Sequence, residues 1–468
     1  MSTETGELAL ERPVRTPLLE GARAPHAGTD ELLAWGAGTE RESTRRDPAH
    51  VAAMQDSWRV LWSSRVLVWL AGVGAVAALG FGPARKVVQH AALTHGFGSL
   101  GDVLVAPAAR WDAGWYLLIA HQGYDPGLGA ATAPRGAFYP LYPLLIRVLS
   151  ELLIAPVLAG IAVSLIALAA ALYTLHRLAF LETGSREIAR FALTASAFAP
   201  MAFFLSAVYS ESLYLALSVG AFWFARKGRW MVAGALGGLA AATRPTGMLL
   251  LAPVLVLYLY GPRCDRPRDR ALARRLRPRY RVRADVLWLA LIPVGMALFA
   301  CYLALAGGDP STPFRSQALW GRHFAGPFGG LWSGAVAAFD GARQLVSMQA
   351  HHSYFPQASG APLVSASHNV LLFAFLIATA VAVLGVLRTL PAAYGIYTVL
   401  ALALPLTYPV SSEPLMSLPR FVLVLFPLSI WLGRWLQEHP RSRAPAFAIS
   451  AALLVFFTGA FATWHWVA

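Results

Sequence analysis

Two carboxylates and three arginines in this chain have neighbours that suit chemistry rather than solubility. The stretch RWDAGWYLLIAHQGYD, Arg110 to Asp125, places Arg110 and Asp112 beside Trp111, Trp115 and Tyr116. A carboxylate held beside an arginine at an apolar surface is what a general base needs; the plainer role for Asp112 is to cap or solvate a helix. Glu211 in YSES lies between Ser210 and Ser212, a setting for a helix N-terminus or for a substrate contact. Arg244 in TRPTG sits between two apolar runs, where a charge costs about 2.5–3.5 kcal/mol at bilayer depth. Arg244 therefore either snorkels to the surface or meets an anion, phosphate above all, through its planar fork. Arg420 in SLPR poses the same choice. His323 in WGRHF, and the pair His351 and His352, lack the partner spacing of metal ligands and read as structural or surface groups.

The elements that must position these groups are apolar. Of 468 residues 57% are apolar and 13% charged, with mean hydropathy +0.54, which marks a polytopic membrane protein. Runs near the ~20 residues that span a bilayer number about eleven. They fall at 66–82, 152–176, 189–208, 212–225, 230–243, 246–261, 286–305, 367–387, 391–409, 421–436 and 445–464. The first starts too far along for a secretory signal, whose length is about 15–30 residues, so it is expected to remain as an anchor. Residues 1–60, rich in charge, Pro and Gly, are expected to form a disordered cytoplasmic tail, and 61–468 the membrane domain.

Positive charge sets the orientation. With the N-terminus inside, most Lys and Arg fall on the cytoplasmic side, ten of them in RCDRPRDRALARRLRPRYRVR, Arg263–Arg283. The +14 formal charge is then explained by topology and anionic lipid, without nucleic acid. Cys264 falls in that loop and Cys301 in a span, so no disulfide is expected. There is no P-loop, no HExxH and no CxxC, which leaves ATP-driven pumping and a zinc hydrolase of the usual kind unsupported. In this topology 83–151 and 306–366 are outer loops and 262–285 a cytoplasmic one. Every unusual polar cluster then lies on the outer side. Helical spacing further predicts an interfacial helix, with Trp111, Trp115, Leu118 and Ile119 on its apolar stripe.

RWDAGWYLLIAHQGY, AFYPLYPLLIR, YSESLYL, AATRPTG and SLPRFVLVLFPL together resemble the PIG-V-like mannosyltransferases, membrane glycosyltransferases of the GT-C type. The likeness is densest from about 110 to 250, and Tyr139 stands where the family pattern AFFPLYP would have Phe. It implies an all-α integral membrane protein, a GT-C multi-helix bundle with outer-face interfacial helices. It also implies transfer of mannose, with inversion, from polyprenyl-phosphate-mannose to a lipid or glycan acceptor on the outer face. Heavy use of Arg over Lys and Ala-rich spans suggest a bacterial plasma membrane.

The residues fit that chemistry. The longest inner loop is too short for a nucleotide-sugar domain, whereas a lipid-linked donor brings its sugar to the membrane surface. One displacement needs one base, unlike the paired carboxylates of glycoside hydrolysis. Asp112 is the candidate base and Glu211 a second base or acceptor contact. Arg244 and Arg420 are candidate phosphate clamps, supplying positive charge without a metal or other cofactor; Arg110 is a further substrate contact. Trp115, Tyr116, Tyr124 and Tyr139 are candidates to offer faces and hydroxyls to a sugar. Alternatives are a GT-C transferase for lipid-linked arabinose or glucose, or a flippase for polyprenyl-linked glycans.

Overall fold

A computed structural model describes residues 48–82, 97–125, 134–152, 155–264, 277–349, 362–411, 413–465 and 467. The chain divides at Val51. Of the first unit, residues 1–51, only the opening turn of a helix is described; the second, Ala52–Ala468, holds the core and everything below.

The described residues are helical, and extended pairing among them is confined to one antiparallel bridge, Arg322 with Val410. The helices are α1 (Pro48–Leu79), α2 (Gly98–Val105), α3 (Ala113–Gln122), α4 (Leu141–Leu152), α5 (Pro156–Thr183), α6 (Arg186–Ala197) and α7 (Glu211–Arg226). They continue with α8 (Trp230–Ala241), α9 (Leu251–Tyr260), α10 (Leu291–Leu305), α11 (Thr312–Arg315), α12 (Gly329–Ser347) and α13 (Pro362–Thr389). The last four are α14 (Ala392–Thr407), α15 (Leu418–Leu423), α16 (Phe426–Glu438) and α17 (Pro440–Ala462).

Among the described residues, five stretches are long and apolar enough to cross a membrane: Pro48–Leu79, Pro156–Thr183, Ala284–Leu305, Leu363–Thr389 and Pro440–Ala462. Three more of the about eleven expected runs form shorter apolar helices, Trp230–Ala241, Pro245–Tyr260 and Ala392–Thr407. The run 189–208 is mostly apolar, yet α6 stops at Ala197 before the proline turn at Pro200, and a 3₁₀ turn (Ala202–Leu205) follows. The run 421–436 is divided between α15 and α16, with Pro427 opening the second. Helix α1 begins at Pro48, so residues 48–60, expected in the tail, are helical; residues 1–47 and most of the basic loop, 265–276, lie outside the described residues.

Helix α5 packs on α7, α6 on α16, α12 on α13, and α8 between α7 and α10. The α8–α10 contact depends on small residues. A methyl group on Gly295 would collide with the Gly238 carbonyl, and one on Gly234 with the Trp288 carbonyl, so these backbones touch directly.

Buried polar groups tie the helices at defined places. Arg65, in the middle of α1, donates from Nη1 to the Ala202 carbonyl (2.7 Å) and Ser206 Oγ (2.9 Å), and from Nη2 to the Ala197 carbonyl (2.8 Å). It thereby satisfies the carbonyls freed where α6 ends. At the C-terminal end of α7, Arg226 pairs with Glu182, which also accepts from the Tyr394 hydroxyl (2.8 Å). The other end of α7 carries Glu211.

Candidate functional site

Two turns meet at that end of α7. Val208 N donates to the Ala108 carbonyl (2.9 Å). The Tyr209 hydroxyl donates to the Arg110 carbonyl (2.9 Å) and accepts from the Asp112 amide (3.1 Å). Ser164 of α5 fixes the second turn by donating to the Ala207 carbonyl (2.8 Å). Asp112, which ends the first turn, and Glu211, which follows the second, are thus brought into one cluster despite their separation in sequence.

Asp112 occupies the N-cap position of α3, but its side chain makes no capping hydrogen bond. Its Oδ2 instead accepts from Arg420 Nη1 at 2.6 Å, with 27% of the side chain exposed. Glu211 is fully buried; its Oε1 meets Arg420 Nε and, at 2.9 Å, Arg244 Nη1. Arg420 therefore bridges both carboxylates and lies over the rings of Phe204 (5.2 Å) and Tyr209 (4.6 Å). Arg244 lies over Tyr214 and Phe421. The alternatives of a capping aspartate and a snorkelling arginine give way to a buried ion-pair network. Glu211 still benefits from its place in the first turn of α7.

Trp111 (φ +56°) and Ser417 (φ +66°) are in the left-handed region, each just ahead of a functional group. For a side chain as bulky as tryptophan this costs about 1–3 kcal/mol and persists only where the surroundings enforce it. Trp111 is held by Trp464, its ring centroid 5.5 Å away. The turn also takes Trp111 out of α3. That helix is buried almost all round, so the predicted interfacial helix is instead a core helix.

A third arginine joins these groups from the region read as the outer loop 306–366. Arg322 lies over Phe421 (5.4 Å), the same ring that Arg244 covers (5.6 Å). It donates to the carbonyls of Tyr408 (3.0 Å) and Met416 (3.5 Å), and forms no ion pair among the described residues. Burial, then the charge of Arg420, lowers its pKa to about 10, while Asp112 acts the other way. The loop is stitched to 407–411 by the Arg322–Val410 bridge and by Ser411 N donating to the Gly321 carbonyl (3.0 Å). His323 contributes through Ser411 Oγ (3.1 Å), a structural role as expected; His351 and His352 lie outside the described residues. Nothing in WGRHF, apart from the charge itself, distinguished Arg322 beforehand.

The aromatic candidates divide. Trp115 stacks on Phe138 and stays half-buried. The Tyr116 hydroxyl is bonded to Ser210 Oγ (2.9 Å), inside the core. Tyr124 donates to the Phe138 carbonyl (2.6 Å). Tyr139 is buried against Phe299 of α10, its hydroxyl without a hydrogen-bond partner among the described residues. The expected sugar-facing hydroxyls of Tyr116 and Tyr124 are therefore committed within the protein, and Tyr124 and Tyr139 belong to a separate cluster with Phe299. Arg110 also points elsewhere: its Nε donates to the Ala462 carbonyl (3.0 Å) and its guanidinium lies over Trp464 (5.1 Å) and Phe81 (5.6 Å).

Arg244 and Arg420 pair with Asp112 and Glu211, and Arg322, close enough to feel the charges of Arg420 and Asp112, adds a third positive charge to two negative ones. Such a site suits an anionic substrate, with Asp112 the carboxylate open to solvent.

Residues 93–260 match the family model described as Mannosyltransferase (PIG-V). Over 160 residues the chain is 31% identical to a GPI alpha-1,6-mannosyltransferase 2 from Cricetulus griseus, an alignment covering 32% of this chain and 31% of that relative. The resemblance seen in the motifs is thereby borne out for this segment, which contains Asp112, Glu211 and Arg244. Arg322 and Arg420 lie beyond it.

Proposed function

We propose that this protein is a membrane mannosyltransferase of the PIG-V type, transferring mannose from polyprenyl-phosphate-mannose to a hydroxyl of a lipid or glycan acceptor at the outer face. The observation that carries this reading is the convergence of Asp112, Glu211, Arg244 and Arg420, from four separated motifs, into one arginine-rich cluster. In this mechanism Asp112 takes the proton of the acceptor hydroxyl. The oxygen attacks the anomeric carbon, the bond from that carbon to the phosphate oxygen breaks, and its electron pair leaves with the lipid phosphate. A single displacement inverts the anomeric centre. Arginine charge opposes the negative charge growing on the phosphate, a role that preorganised cations fill without moving. Arg420 holds Asp112 in place, and Glu211 fixes Arg420 and Arg244.

The test compares membranes carrying wild type and Asp112→Asn for transfer of radiolabelled mannose from polyprenyl-phosphate-mannose. Loss of the base is expected to slow transfer by about 10²–10⁴-fold, while Asn still accepts from Arg420. Wild-type rates in the variant would remove Asp112 as base. Absence of transfer in both, beside an active control transferase, would overturn the mannose reading.

A further inference from the structure

Asp112 is placed by its backbone as well as by Arg420, and one side chain governs both. The Arg110 carbonyl and the Asp112 amide belong to the peptide groups on either side of the Trp111 Cα, whose relative rotation is the φ and ψ of Trp111. A single hydroxyl joins them. Tyr209 donates its hydrogen to the Arg110 carbonyl (2.9 Å), and its oxygen accepts from the Asp112 amide (3.1 Å). Trp111 between them is left-handed (φ +56°), a conformation that a tryptophan keeps only under constraint. The bridge supplies part of that constraint and sets where the Asp112 Cα lies.

The tyrosine is itself held firmly. Tyr209 is 1% exposed, and its ring packs on Phe204 (4.8 Å between centroids), Phe461 of α17 (5.9 Å) and Tyr116 of α3 (6.1 Å). Its carbonyl accepts from Ser164 Oγ of α5 (3.3 Å). The Arg420 guanidinium lies over the same ring, 4.6 Å from its centroid, and that guanidinium holds the Asp112 carboxylate at 2.6 Å. Tyr209 therefore bears on Asp112 twice: on its main chain through the hydroxyl, and on its carboxylate through Arg420.

We propose that Tyr209 is the positioning residue of the site, its hydroxyl locking the turn at Trp111 and its ring seating Arg420, so that the Asp112 carboxylate is fixed in one place. Tyr209 does not touch the reacting atoms; it acts through Asp112. Its effect on rate rests on the reading of Asp112 as the base, whereas its effect on the turn rests on the hydrogen bonds alone.

Tyr209→Phe removes the hydroxyl and keeps the ring. In the full-length protein in lipid nanodiscs, amide hydrogen exchange at Asp112 is expected to quicken about fivefold, the equivalent of one lost hydrogen bond. Unchanged exchange would overturn the clamp, whatever the activity. In mannose transfer, kcat is expected to fall about 10–100-fold, the scale of a ~1 Å misplacement of a catalytic group, with KM for the acceptor unchanged. Added to Asp112→Asn, the same substitution is expected to cost less than about twofold more, because no carboxylate is left to position. An equal factor in both backgrounds, or a wild-type kcat in Tyr209→Phe, would remove the positioning role. Tyr394→Phe is the control: it deletes an equally buried hydroxyl at the other end of α7, one that donates to Glu182 (2.8 Å). This variant is expected to melt lower than wild type and to keep its kcat; a loss of kcat matching that of Tyr209→Phe would reduce Tyr209 to a structural role. If wild type transfers no mannose beside an active control transferase, the mannosyltransferase reading falls, while the exchange measurement still upholds or overturns the clamp.

Discussion

At the scale of single residues, the cluster is held together by opposed charges that cannot be removed one at a time. Glu211 is fully buried and compensated by Arg420 and Arg244. Removing one member of such a pair leaves an uncompensated buried charge, which costs about 3–5 kcal/mol. Arg420→Ala is therefore expected to lower the thermal unfolding midpoint sharply as well as abolish activity. Arg420→Lys is expected to restore little, because one ammonium cannot serve Asp112 and Glu211 through a planar fork. A thermal melt of each purified variant checks both. Arg322 differs, since its partners are carbonyls and no carboxylate depends on it. Arg322→Ala should melt close to wild type while kcat/KM falls about tenfold, the scale of one charge-assisted contact; an unchanged kcat/KM would take Arg322 out of the site. Asp112, Glu211, Arg244 and Arg420 were all legible in the sequence, because a charge within an apolar run needs an explanation. Which charge meets which was not, since Arg420 and Asp112 are 308 positions apart.

At the scale of elements, the site depends on how short and broken helices are wedged together. Helices α8 and α10 meet backbone to backbone at Gly238 and Gly295. Gly295→Leu should separate them at about 1–3 kcal/mol, the usual cost of overpacking. A lower melting temperature with kcat retained at low temperature would place the effect in packing. The helical class and the apolar runs followed from composition and periodicity. The breaks within 189–208 and 421–436 did not, because an apolar run looks alike whether it crosses a membrane once or turns within the bundle. The stripe of Trp111, Trp115, Leu118 and Ile119 misled for a related reason: Trp111 has left-handed backbone and precedes α3.

At the scale of the whole molecule, orientation is a property of the charge distribution over the loops. In a variant with Cys264 and Cys301 replaced by Ser, Cys introduced at Leu100 should react with an impermeant maleimide from outside, and Cys at Leu272 only after permeabilisation. Labelling of position 272 in intact cells would invert the topology and place the carboxylate cluster on the cytoplasmic side.

By itself the sequence determined the helical class, the membrane character and the residues whose chemistry had to be explained. These depend on local information: hydropathy over about 20 positions, and charges set in apolar surroundings. Only the tertiary structure decided that Asp112 is paired rather than capping, that Arg322 shares the Phe421 ring with Arg244, and that Arg110 turns to Ala462 and Trp464. Those outcomes depend on contacts between remote segments, for which a buried charge states a need for a partner without specifying where in the chain that partner lies.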